Sequence, residues 1–216
     1  MSESTGKSAG RFRGAAAEIL ELRAALLART REFFSGRGII EVETPLLSRG
    51  VVVDRHLDPP VCRYSHGAGG EGESLYLQTS PEAAMKRLLA AGMGSIYQVG
   101  HAFREGERGR LHNPEFTMLE AYQAYGDYET MMELCQSLIC HVAEKVLGTL
   151  VIEQKDAEGN VAQTIDLTPD WRRVKYKDLV REAAGADWFD VEPTERHRRV
   201  IEELKLEGEI EGNCED

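Results

Sequence analysis

The apolar positions of this chain alternate between helical and extended spacing, and the breaks between them divide it into elements. Ile19, Leu22, Leu26 and Phe33 recur at helical intervals up to Gly36 and Gly38, which predicts one amphipathic helix ending there. The stretch GIIEVETPLL (38–47) is β-branched and apolar and reads as a strand, with Pro45 suited to an edge or an end. A Gly-rich loop, SHGAGGEGES (65–74), leads into the short strand SLYLQ. Thr79-Ser80-Pro81-Glu82 then opens a helix with Met85, Leu88 and Leu89 inward, and AAGMG ends it. SIYQVGHAFRE and PEFTMLEAYQAY follow as the two strands of a long antiparallel hairpin. Asp127 and Thr130 precede a helix carrying Met131, Leu134, Leu138, Val142 and Val146 on one face, stopped by Gly148. LVIEQ and VAQTIDL flank the turn residues Glu158-Gly159-Asn160, and helices are expected near 175–184 and 194–206. Residues 1–14 read as a polar tail, the segment from Glu202 onward is acidic, and no internal repeat is visible.

Side chains alternate across a strand, so the hairpin has two chemically different faces. Gln98, Gly100, Ala102 and Arg104 share one, and Tyr97, Val99, His101 and Phe103 share the other. The first is nearly bare and leads to an arginine, which leaves room for a flat ligand with an anionic end. By the same parity Phe116, Met118, Glu120 and Tyr122 form a row of ring, thioether, carboxylate and phenol on the second strand. The connecting loop, EGERGRLHN, offers Glu105, Glu107, Arg108, Arg110, His112 and Asn113, either as a solvated tip or as charge that folds over a polyphosphate. Glu82 also has two readings: Thr79-x-x-Glu82 matches a capping box, and the same carboxylate could hold a ligand's ammonium.

Composition narrows the function classes. The 37 acidic residues against 26 basic ones give a net charge of -11, which disfavours a general nucleic-acid binder. Four cysteines without a C-x-x-C pair, no apolar run near the roughly 20 residues of a membrane span, and no apolar core in the first residues point to a reduced, cytoplasmic protein. His56, His66, His101, His141 and His197 lack metal-ligand spacing, and no G-x-x-x-x-G-K-[ST] is present, which excludes a P-loop.

In order along the chain, GIIEVETPLL, TSPE (79–82) and FREGERGRLHNPEFTMLEAY (103–122) resemble motif 1, the amino-acid loop and motif 2 of class II aminoacyl-tRNA synthetases of the lysine subgroup. The resemblance covers about residues 12–185. It implies an α+β catalytic domain, a mostly antiparallel sheet flanked by helices, with motif 1 at a dimer interface. It implies ATP as substrate with Mg2+ carried by the nucleotide. By resemblance Arg104 is the catalytic residue and holds the α-phosphate, while Glu105, Gly106, Glu107, His112 and Asn113 lie along the nucleotide and Phe116 stacks on adenine. Ser80, Glu82, Glu120 and Tyr122 would hold the amino acid. One departure is Gly106, which stands where motif 2 usually has glutamate.

Two branches of the subgroup compete. One charges tRNA with lysine and carries an anticodon-binding barrel before motif 1; the other attaches (R)-β-lysine to a lysine of elongation factor P. Motif 1 begins here at Gly38, and the stretch from Val53 to Pro59 resembles the ligase pattern V-x-D-x-H-L-x-P, which favours the protein-modifying branch. EAYQAYGDYE (120–129) and IDLTPDWRR (165–173) resemble the tRNA branch instead. A non-catalytic binding module on the same fold is the third reading. Motif 3, a glycine-rich segment ending in an arginine, has no copy here, and the expectation is therefore the N-terminal part of such a domain, over residues 15–216, without an anticodon-binding domain.

Overall fold

The computed structural model describes residues 17–65, 72–156 and 158–202. These fall into two compact units, one running to Pro169 and one beginning at Asp170. The sequence-predicted tail over residues 1–14, most of the Gly-rich loop and the acidic end after Glu202 lie outside the described residues.

The first unit is an α+β structure. Helix α1 (Ala17–Ser35) is followed by the two-residue strands β1 (Ile40–Glu41) and β2 (Leu47–Ser48), then β3 (Val61–Tyr64), β4 (Glu73–Leu77) and helix α2 (Glu82–Ala90). The long strands β5 (Ile96–Phe103) and β6 (Glu115–Tyr122), helix α3 (Tyr128–Leu147) and the hairpin β7 (Val151–Lys155) and β8 (Val161–Asp166) complete it. One sheet has the order β1-β5-β6, with β1 parallel to β5 and β5 antiparallel to β6. A second has the order β2-β4-β3, all antiparallel. The backbone N–H of Phe103 donates to the carbonyl of Gln78 at 3.0 Å, which ties the end of β5 to the segment after β4.

GIIEVETPLL is therefore not the single strand its composition predicts. It splits into β1 and β2, which pair in different sheets, and Pro45, with no N–H to donate, lies in the break. The predicted inward faces of α2 and α3 hold, with Met85 and Leu134 buried, and the predicted ends of α3 hold as well. Asp127 accepts the N–H of Thr130 at 3.0 Å in a reciprocal capping box, and Gly148, at φ 71, closes α3 in the left-handed region that suits glycine.

The core lies between the helices and the face of the sheet that carries Tyr97 and Val99. Phe33, Phe34, Ile39, Tyr97 and Leu134 form it, with Val99, Ala121, Met131 and Leu138 packed around them. The Phe34 ring stacks on Tyr97 with centroids 4.2 Å apart, and Phe33 meets Phe34 edge-on at 5.4 Å. Tyr97 donates to a Glu41 carboxylate oxygen at 3.0 Å, and burial together with that bond pushes its phenol up to about 12. Only the last turns of α1 reach this core. Ile19, Leu22 and Leu26, which the helical spacing places inward, are exposed, and the latter two line an apolar groove of about 450 Å³ with Leu138, Val142, Val146 and Ile152. Periodicity finds the apolar stripe of a helix but not whether anything covers it.

In the second unit, helix α4 (Tyr176–Ala184) is joined to helix α5 (Pro193–Glu202) by a segment whose Phe189 ring lies under Lys177 and Arg181 of α4 at 5.3 and 5.4 Å. Arg199 grips both carboxylate oxygens of Asp187 at 2.8 Å, and bonds from Arg198 and Arg199 hold the Glu195 carboxyl down at about 2. Among the described residues no helix is long and apolar enough to cross a membrane.

Candidate active site

The face of β5 and β6 turned away from the core forms one wall, and strand register decides what stands on it. Gln98 pairs with Glu120, Gly100 with Met118, and Ala102 with Phe116, so the two rows predicted from parity lie side by side. Phe116 and Met118 remain half-buried, whereas Gln98 and Ala102 are buried.

One end of the wall is organised around Glu120. Ser80 donates its hydroxyl to one carboxylate oxygen, and Tyr122 donates to the other at 2.9 Å. Each oxygen keeps a free lone pair for a further donor, since an ionised carboxylate accepts about four bonds. Burial, the bond to Glu120 and the negative charge of Glu82, in that order, raise the Tyr122 phenol well above its usual range, so it acts here as a donor.

The TSPE turn delivers Ser80 to this cluster and removes one of the two readings of Glu82. The capping box does not form: the Ser80 hydroxyl, not that of Thr79, accepts the Glu82 N–H at 3.0 Å, and the Thr79 hydroxyl is buried without a partner. The Glu82 side chain makes an i,i+4 ion pair with Lys86 instead of reaching back to the helix start. The spacing T-x-x-E was right for a helix start, but the N-cap position falls on Pro81, which is in a helical conformation and has no side-chain oxygen to cap with.

The other end of the wall is built by the β5–β6 loop. Arg104, Glu107, Leu111, His112, Asn113 and Phe116 line a cavity of about 180 Å³. The Arg104 guanidinium sits 5.1 Å from the Phe116 ring centre and 3.7 Å from the Glu107 carboxylate, and its Nε is buried with no hydrogen-bond partner. The backbone of Arg104 is fixed by its N–H to the Pro114 carbonyl at 2.9 Å, and that of Glu105 by its N–H to the Asp58 carbonyl at 2.7 Å. Gly106 turns the loop at φ 79, a conformation strained for other residues. Glu105 and Gly106 are exposed on that turn and do not line the cavity.

The sequence-predicted residues thus divide into two groups. Ser80, Glu120 and Tyr122 are joined by hydrogen bonds, with the Glu82 charge close enough to act on Tyr122. Arg104, Glu107, His112, Asn113 and Phe116 share the cavity at the far end. Gln98, which parity placed on this face without a role, and Thr44, which it did not place at all, also belong to the site's surroundings. Gln98 is only 5% exposed and stands opposite Glu120, and Thr44, from the segment between β1 and β2, donates to its side-chain carbonyl at 2.9 Å. The signal for Gln98 was present as a polar amide at an inward strand position; nothing in the sequence pointed to Thr44 as its partner.

Comparison with known proteins gives the family. Residues 11–210 match the family of class II tRNA synthetases (D, K and N). An elongation factor P (R)-β-lysine ligase of Yersinia enterocolitica is 40% identical over 183 residues, covering 84% of this chain and 54% of that protein. Lysine–tRNA ligases of Syntrophomonas wolfei and Clostridium botulinum are 38% and 37% identical, covering 88% and 90% of this chain but 36% and 39% of their own lengths. The chain therefore spans between about a third and about half of the curated relatives it matches. With the match running through the helices, both motif-like segments and the wall between them, the chain belongs to the class II tRNA synthetase family of the D, K and N type.

Proposed function

We propose that the chain is part of an ATP-dependent ligase that activates lysine or (R)-β-lysine as an aminoacyl-adenylate and transfers it to a lysine of elongation factor P. The observation that carries this reading is Arg104: a guanidinium beside an aromatic ring, its Nε buried without an acceptor, at one end of a wall whose other end presents Glu120. A buried donor left unpaired is costly, and a phosphate oxygen would relieve it. The relatives that act on elongation factor P and on lysine tRNA support the chemistry.

In the first step the amino-acid carboxylate attacks the α-phosphorus of ATP, the bond to the β-phosphate oxygen breaks, and pyrophosphate leaves. Charge grows on the α-phosphoryl oxygens as this happens, and a fixed guanidinium is worth most at that moment. Arg104 takes that role, Phe116 gives the adenine a surface to stack on, and His112 and Asn113 line the same cavity. Glu105 and Gly106 form the exposed rim along the nucleotide. Ser80 and Tyr122 orient Glu120 toward an ammonium, with Glu82 adding negative charge at the pocket edge. The carboxylate nucleophile requires no protein base, so the chain's residues act by positioning two anions in line. Mg2+ would be carried by the nucleotide phosphates, where it would share in cancelling their charge.

A fragment of a lysine–tRNA ligase, with tRNA as acceptor, is the second reading, favoured by the similarity to the tRNA ligases over as much of the chain. Homodimerisation through motif 1 accompanies both readings. The test is ATP–pyrophosphate exchange by the protein in its full natural length, with lysine or β-lysine added, followed by transfer to elongation factor P or to tRNA. Exchange with β-lysine and transfer to the protein acceptor are expected; transfer to tRNA alone selects the second reading, and no exchange with either amino acid overturns both.

A further inference from the structure

The wall holds a side chain whose orientation is imposed from outside it. Gln98 is buried on β5 directly opposite Glu120. Its carbonyl oxygen accepts the Thr44 hydroxyl at 2.9 Å, which occupies the acceptor end of the amide. The NH2 end lies over the bare backbone of Gly100, where an added Cβ would stand 3.3 Å from the Gln98 nitrogen. A carboxamide NH2 donates twice and accepts nothing. The wall therefore presents two unlike groups side by side: a carboxylate that attracts an ammonium, and a donor that attracts an oxygen and repels an ammonium.

We infer that Gln98 is a specificity-determining residue which favours an amino acid whose backbone amine is one carbon removed from its carboxyl group, and that Thr44 is the residue that positions it. This rests on the reading of the chain as a lysine- or β-lysine-activating ligase. When the Gln98 N–H groups take a carboxyl oxygen of the substrate, an amine on the adjacent carbon is brought against the same donors. An amine on the β-carbon stands further off and is free to turn toward a carboxylate. A glutamate at 98 would reverse the preference, because it accepts where glutamine donates, while placing two like charges opposite each other on neighbouring strands. A site that loses a matched hydrogen bond discriminates strongly, whereas one that merely loses a methylene does not.

Gln98→Glu keeps the size of the side chain and the Thr44 bond while exchanging donor for acceptor. The ratio of kcat/KM for β-lysine over lysine in pyrophosphate exchange should fall roughly tenfold or more, through the KM of the amino acid, with the KM of ATP unmoved. Thr44→Val removes the bond that fixes the amide and should lower the same ratio, and Thr44→Ser should restore it; this pair decides the matter if Gln98→Glu does not fold. In the wild-type protein the Gln98 side-chain 15N–1H pair, identified by its loss in Gln98→Glu, should shift when β-lysine is added. An active enzyme whose ratio is unchanged in Gln98→Glu and Thr44→Val overturns the role of these two residues and leaves the ligase reading standing. No exchange, with no shift of the Gln98 amide by either amino acid, overturns both.

Discussion

At the scale of single residues, the two ends of the wall differ in how completely their polar groups are satisfied. Glu120 has a hydroxyl on each oxygen, so its geometry is set before any ligand arrives. Arg104 keeps a buried Nε with no acceptor. Removing the guanidinium in Arg104→Ala should lower adenylate formation by about 10²–10³-fold, the range for a fixed group that stabilises developing charge; pyrophosphate exchange checks it, and a loss under tenfold would remove Arg104 from the reaction. Tyr122→Phe leaves Ser80 as the one hydroxyl holding Glu120. It should raise the KM for the amino acid and leave that for ATP unchanged, measured in the same assay.

At the scale of elements, what the sequence announced most clearly was where helices start and stop, because caps are local. Asp127, Thr130 and Gly148 bound α3 as their types require. The turn of β7–β8 was equally legible, and Asp156 reinforces it by accepting the N–H groups of Glu158 and Asn160, a contact the turn residues alone did not reveal. Pairings across the chain were not legible in the same way: nothing in GIIEVETPLL says that Ile40 and Leu47 belong to different sheets, since β propensity does not name a partner strand. The two rows of the candidate site were visible because a hairpin's faces follow from parity, whereas the Thr44–Gln98 bond joins residues 54 apart and was not. The α3 cap carries a pH dependence. Hydrogen bonds from Thr130 hold the Asp127 carboxyl below its usual range, so its contribution to stability is present above the unfolded pKa near ~3.9 and lost as pH falls through the folded value. Asp127→Ala should therefore melt lower than the parent at pH 7, with the gap closing below about pH 4, while Asp127→Asn keeps most of the cap. Circular dichroism melts at the two pH values test this.

At the scale of the whole molecule, the same sheet serves two masters: one face anchors the core and the other carries the candidate site. Phe34, 1% exposed and stacked on Tyr97, lies at that junction. Phe34→Ala should cost about 3–5 kcal/mol, the range for emptying a buried aromatic position, and denaturant unfolding checks it. Its effect should not stop at stability, because Tyr97 and Gln98 are adjacent on one strand and face opposite ways. That coupling constrains how the protein can change over evolutionary time. Inserting or deleting one residue within β5 would exchange Gln98, Gly100 and Ala102 for Tyr97, Val99 and His101, emptying the core and filling the site in a single event. The wall can therefore be retuned by substitution but not by odd changes of length.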